Sequence, residues 1–191
     1  MKKAILILLL SLFLFAIYSN DNYVGLTSHN SIGVQPGGTS RVYLNIDLGF
    51  SHNYIFKKYF LIENNILTGY THCYVTSTIP SAYGFNIYHS FMFKFCFGND
   101  KVKFSFSPFG VYEKFLCLFS INNDFNWIFY SQGLEITNVG LEIFIGKKQQ
   151  IQFTPIYLNV DLEFMLAPLI GYIPNFYLSG GSSIRFKVIK K

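Results

Sequence analysis

The segment His29-Asn30-Ser31-Ile32-Gly33 holds the residue types that come nearest to a catalytic signature. Ser31 followed two positions later by Gly33 matches the second half of G-x-S-x-G, with His29 in place of the first glycine. Residues two apart share one face of a strand. His29 and Ser31 are therefore a weak candidate pair in which the imidazole would take the serine proton. Such chemistry needs a carboxylate to orient the histidine, and the sequence does not place one. Asp161 and Glu163 also stand two apart, as paired carboxylates for acid–base work would, although interior ion pairing is the stronger reading. His52, His72 and His89 are each isolated. No H-E-x-x-H, C-x-x-C, P-loop or dinucleotide fingerprint is present, so neither a metal nor a cofactor is expected. Cys73, Cys96 and Cys117 are widely spaced and odd in number. They allow one disulfide and a free thiol, with three small semi-buried side chains as the default. The expectation is a non-enzymatic protein.

The elements that carry these residues follow from composition. In 191 residues, 51% are apolar and 13% charged, with 22 Phe and 14 Tyr against a single Trp, Trp127. A soluble domain carries roughly 25% charged residues, and a disordered chain is poor in aromatics; this composition fits neither. The formal charge of +5, or +3 without Lys2 and Lys3, is too small to indicate nucleic acid. Met1-Lys2-Lys3 and the apolar run Ala4 to Ile17 have the form of a secretory signal peptide. We expect residues 1–19 to be that leader and residues 20–191 to form a single domain. The stretch from Phe164 to Leu178 is apolar but broken by Pro168, Gly171, Pro174 and Asn175, so no second spanning helix is available. Only helices and closed barrels satisfy their backbone inside a bilayer.

A barrel requires alternation with period two. Val42, Leu44, Ile46, Leu48 and Phe50 alternate with Tyr43, Asn45, Asp47 and Gly49. Phe85 to Phe97 and Ile156 to Phe164 do the same, and Ile184, Phe186 and Val188 alternate with Arg185 and Lys187. His89 interrupts an otherwise apolar face. Turn residues divide the chain into eight candidate strands, roughly 22–34, 41–51, 58–76, 85–97, 102–120, 126–146, 151–165 and 176–189. The fold class is thus an all-β, up-and-down antiparallel transmembrane barrel of eight strands. Ten strands are the alternative, because Pro108 and Gly110 interrupt the fifth segment and the apolar phase flips between Ile136 and Val139 in the sixth. Both irregularities are read as bulges or as sites where a strand enters a loop.

The membrane reading turns the apolar face outward, and a soluble barrel would turn it inward around a ligand. The apolar faces of the clean strands carry no Asp, Glu, Lys or Arg, as hydrocarbon demands. Val42, Leu44, Ile46, Leu48, Phe50, Phe91, Phe93, Phe95, Ile156, Leu158, Val160 and Leu162 are accordingly expected to face lipid. Asp47, Glu63, Lys94, Lys103, Asp161, Glu163, Arg185 and Lys187 are expected to form an interior network. Ile46→Arg should impair assembly, and Asn45→Arg should be better tolerated if the lumen has room or an acid to receive it.

On Val42–Ser51, Phe85–Phe97 and Ile156–Phe164 the chain resembles the small eight-stranded outer-membrane barrels, a group that includes outer-membrane protein A transmembrane domains and the related X and W proteins. The likeness is one of architecture over roughly residues 22–189. The group usually ends on an aromatic residue read by the assembly machinery. Here Phe186 is the last aromatic before Val188-Ile189-Lys190-Lys191, which implies a different signal. The resemblance implies outer-membrane placement with both termini periplasmic. Expected partners are outer-membrane lipid, the barrel assembly machinery and host or extracellular ligands met through external loops, with no nucleic acid. A structural or surface-interaction role (adhesion or ligand binding) is the leading function. A small-solute pore and a lipid hydrolase or deacylase using Ser31 and His29 are the rivals.

Overall fold

Alternation of apolar and polar residues produces eight strands: β1 Asp21–Gln35, β2 Arg41–Lys57, β3 Phe60–Val75, β4 Ala82–Gly98, β5 Val102–Ser120, β6 Asn126–Ile145, β7 Gln149–Asp161 and β8 Phe176–Val188. They are seen in a computed structural model that describes residues 21–35, 41–57, 59–75, 81–120, 126–145, 148–161 and 176–188. The expected leader, Leu162 and Glu163 lie outside the described residues, as do the side chains of Ile156, Leu158, Val160 and Asp161. No helix among the described residues is long and apolar enough to cross a membrane.

Each strand pairs antiparallel with the next, and β8 returns to β1 in a ladder from Asn22↔Val188 to Val34↔Phe176. The ring is closed, so no strand edge is left unpaired. Among the described residues β5 and β6 each run as one strand, without the extra hairpin that would have made ten. Three short turns join β2 to β3, β4 to β5 and β6 to β7 at the end that carries Asp21 and Val188. In one of them Gly98 takes φ +138°, a conformation open to glycine. Asn99 Oδ1 then accepts the backbone N–H groups of Lys101 and Val102 at 2.9 and 2.8 Å.

Two boundaries differ from expectation for one reason. β2 runs on through His52–Lys57, expected as a connection, and β7 begins at Gln149 rather than 151. His52-Asn53 and Gln149-Gln150 look like turn chemistry, but in a barrel with a polar interior every strand is half polar. The two irregular segments are bulged. Between Met92/Gly110 and Phe95/Phe106, β5 carries one more residue than β4, around Pro108, which has no N–H to donate. On β6 the register shifts between Ile136 and Val139, where the apolar phase flips. Past each bulge the inward parity changes, so Lys103, Ser105 and Ser107 point inward before it, and Tyr112 and Lys114 after it.

The faces are sorted without ambiguity. Leu26, Leu48 and Phe50 on the outer wall are each 65% exposed, whereas Asn45, Lys94 and Arg185 inside are 0% exposed. A soluble barrel would show the reverse. An apolar wall around a polar interior is the arrangement of a barrel that crosses a bilayer.

Candidate functional site

Inward-pointing polar side chains from all eight strands meet in the lumen, and register decides which of them touch. Glu63 on β3 is the hub of one network. Its Oε2 receives Lys94 Nζ at 2.9 Å, Arg185 Nη2 at 3.1 Å and Gln152 Nε2 at 2.7 Å. Its Oε1 accepts Asn65 Nδ2 at 2.8 Å. Lys94 also lies 3.9 Å from Glu142. The Glu142 carboxylate accepts Ser105 Oγ at 3.0 Å and Gln150 Nε2 at 2.8 Å, and Gln150 in turn accepts Asn53 Nδ2 at 3.1 Å. Ser183 donates to Gln152, and Arg185 Nε donates to Ser51, closing the web across β2 through β8. Two carboxylates against two cations leave the group near neutrality. Without that balance, burying any one of these charges would be prohibitive.

A second network lies nearer the far end of the barrel. The β1–β2 register sets His29 directly opposite Asp47 and Ser31 opposite Asn45. His29 Nδ1 lies 3.0 Å from Asp47 Oδ2, and Asn86 Nδ2 donates to Asp47 Oδ1 at 2.8 Å. Asn45 Nδ2 donates to Ser31 Oγ at 2.7 Å, while Asn45 Oδ1 accepts Thr71 at 2.7 Å and Lys114 Nζ at 3.1 Å. The His29 ring stacks on Tyr88, with centroids 5.0 Å apart, and the Tyr88 hydroxyl donates to Glu135. Beyond this layer Tyr43, Cys73, Ala82, Leu116, Leu118 and Tyr177 pack as a buried apolar cluster. Lys114 Nζ sits 4.7 Å above the Tyr177 ring.

The carboxylate that the sequence could not place beside His29 is therefore Asp47. The resulting His29–Asp47 pair is buried, and the Ser31 hydroxyl is engaged by Asn45 rather than aimed at a cleft. The arrangement orients side chains and fills space. Among the described residues, no cluster of His, Cys, Asp and Glu could hold a metal ion, and Cys73, Cys96 and Cys117 form no disulfide.

Of the residues assigned to the interior by sequence, the structure brings together Glu63, Lys94 and Arg185 in one network and holds Asp47 in the other. Lys103 is buried at the termini end, its Nζ 5.2 Å from the Phe144 ring centroid. Lys187 sits at the rim, paired with Asp21. Sequence reasoning missed Lys114, Glu135 and Glu142, all on strands with bulges, where counting by twos from one end gives the wrong face for the other. On the outer wall Ile46, Leu48, Phe50 and Phe95 are exposed, and Val42, Leu44 and Phe93 are half-buried. Phe91 points outward yet is only 8% exposed, because Tyr54 and Ile62 cover it in an aromatic-rich cluster.

The sequence matches no protein-family model, and no curated protein matches it. Solved structures do share the fold. The outer membrane protein OprG from Pseudomonas aeruginosa superposes with a TM-score of 0.52 at 10% identity, over 91% of this chain and 98% of that one. Ail, the attachment invasion locus protein of Yersinia pestis, crystallised with the heparin analogue sucrose octasulfate, superposes with a TM-score of 0.53 at 11% identity, over 88% and 98%. The architecture is that of the small eight-stranded outer-membrane barrels.

Proposed function

We propose that this chain is an integral outer-membrane barrel with a structural or surface-interaction role and no catalytic activity. One observation carries the reading: the polar lumen is a cross-linked core, with Lys94 and Arg185 completely shielded from solvent by partners on the facing strands. An interior of this width is filled by its own side chains. Among the described residues, His29 borders a cavity of only about 20 Å³, room for about one water, and Ser31 does not line it. What such a barrel offers to its surroundings is a lipid-facing wall and the connections at its two ends. The connections opposite Asp21 and Val188 would face outward from the cell and meet extracellular ligands, with both termini periplasmic. Outer-membrane lipid and the assembly machinery would be its partners during insertion.

Planar-bilayer recording on the refolded barrel, paired with protease treatment of intact cells, tests the reading. Electrically silent insertion with cleavage confined to the connections opposite the termini is the expected result. Steady ion-selective steps would transfer the protein to the pore class. Release of fatty acid from a lipid substrate, lost in Ser31→Ala, would transfer it to the hydrolases.

A further inference from the structure

The outward-facing side chains described on the strands include a single charge, Glu113 on β5, and it is exposed. It does not stand at a rim. On the same face of β5, Phe109 and Val111 flank it on one side and Phe115, Cys117 and Phe119 on the other. Its register partners are His89 on β4 and Gln132 on β6. His89 Nε2 lies 2.8 Å from Asn64 Oδ1 on β3, and Asn64 is paired in register with His52 on β2. Gln132 Nε2 donates to the Tyr130 hydroxyl at 2.7 Å. A polar row thus crosses five neighbouring strands of a wall that is mostly apolar. Elsewhere on the wall Ser28 and Ser182 pair with each other at 3.1 Å, and Thr68 donates to the Asn86 carbonyl at 2.9 Å. The Glu113 carboxylate accepts no hydrogen bond among the described residues. Hydrocarbon has no donor to offer it, and lipid headgroups lie beyond the apolar residues on either side.

We propose that the β4–β6 wall around Glu113 is the contact face of a homodimer within the membrane. The row is self-complementary: it presents an acceptor-only carboxylate beside an amide that still has an N–H to give. A two-fold contact requires that kind of pairing, because what one copy offers the other must receive. With the axis midway between Glu113 and Gln132, the carboxylate of each copy faces the Gln132 amide of the other. Exposed Ile87, Val111 and Ile128 surround the polar centre and exclude lipid from it. The partner is a second copy of this chain.

The test is energy transfer between copies carrying donor or acceptor dyes at the amino terminus, reconstituted in phosphatidylcholine vesicles and diluted with added lipid. The native barrel should remain associated on dilution. Glu113→Leu, which suits the apolar wall and should insert at least as well, should weaken association about tenfold or more, as expected for the loss of hydrogen bonds to a charged group. Gln132→Leu should do the same and reports on the same contact if Glu113→Leu fails to insert. Leu26→Ala, on β1 across the ring, should leave association unchanged. A native chain that is monomeric at every dilution overturns the proposal. So does a Glu113→Leu or Gln132→Leu barrel that associates as tightly as the native one.

Discussion

Asn86 on β4 donates to Asp47 on β2 at 2.8 Å, reaching over Gly69 of the strand that separates them. The contact exists because Gly69 has no side chain. A Cβ there would strike the Ile46 carbonyl and the Asp47 carboxylate. Sheet neighbours usually interact only with the adjacent strand, and here a glycine lets second neighbours meet inside the lumen.

Gly69→Val should therefore displace Asp47 from Asn86 and loosen His29 with it. Overpacking of this kind costs about 1–3 kcal/mol. Urea unfolding of the barrel in lipid vesicles should show the loss. Full stability in the valine variant would mean that Gly69 does not govern the Asp47–Asn86 contact.

The Glu63–Lys94 pair provides a double-mutant cycle. Removing one partner of a buried pair costs about 3–5 kcal/mol, because the remaining charge is left uncompensated. Lys94→Met leaves Glu63 and Glu142 facing Arg185 alone, and Glu63→Gln leaves two cations facing Glu142. The double variant restores balance and should recover a large part of either loss. Strict additivity of the two unfolding free energies would show that the two side chains are not coupled.

Adjacent residues on β2 should respond to arginine for different reasons. Ile46 is exposed on the wall, and Ile46→Arg at mid-membrane depth should cost about 2–4 kcal/mol of insertion. Asn45 is fully buried and already serves Ser31, Thr71 and Lys114. Asn45→Arg should therefore be poorly tolerated, because these partners occupy the space and Lys114 would face a second cation. Asn45→Asp should be accepted instead, since Lys114 and Thr71 can donate to a carboxylate. Folding yield into vesicles ranks the three variants, with Asp above both arginines.

Closure of β1 on β8 predicts cooperative opening. The ladder runs unbroken from Asn22↔Val188 to Val34↔Phe176, so no free end is available from which the sheet can unzip. The refolded 20–191 chain should keep a compact form in sodium dodecyl sulfate until boiled, visible as a mobility shift. Its circular dichroism should be β-rich. A helical spectrum would contradict the fold, and identical mobility before and after boiling would show that the closed ladder does not withstand the detergent.

The period-two alternation in Val42–Phe50 and Phe85–Phe97, together with the turn residues between segments, was enough to specify eight strands, a closed barrel and an apolar wall. Alternation is a local property of the chain, fixed by the geometry of a single strand. Which residues face one another across the lumen is not local. His29 meets Asp47 and Glu63 meets Arg185 because the turns set each register and ring closure sets the stagger of the last strand against the first. The bulges add a second limit. Near Pro108 on β5 and between Ile136 and Val139 on β6, an irregular register reverses the inward parity, hiding Lys114 and Glu142 from any count that begins at one end of the strand. Glu113 escaped for the same reason, since past the bulge an odd-numbered position on β5 turns to the wall. The sequence by itself determined that the barrel has a polar inside and an apolar outside. Only the tertiary structure decided which charges neutralise each other within it and which single charge of the described strands is left facing out.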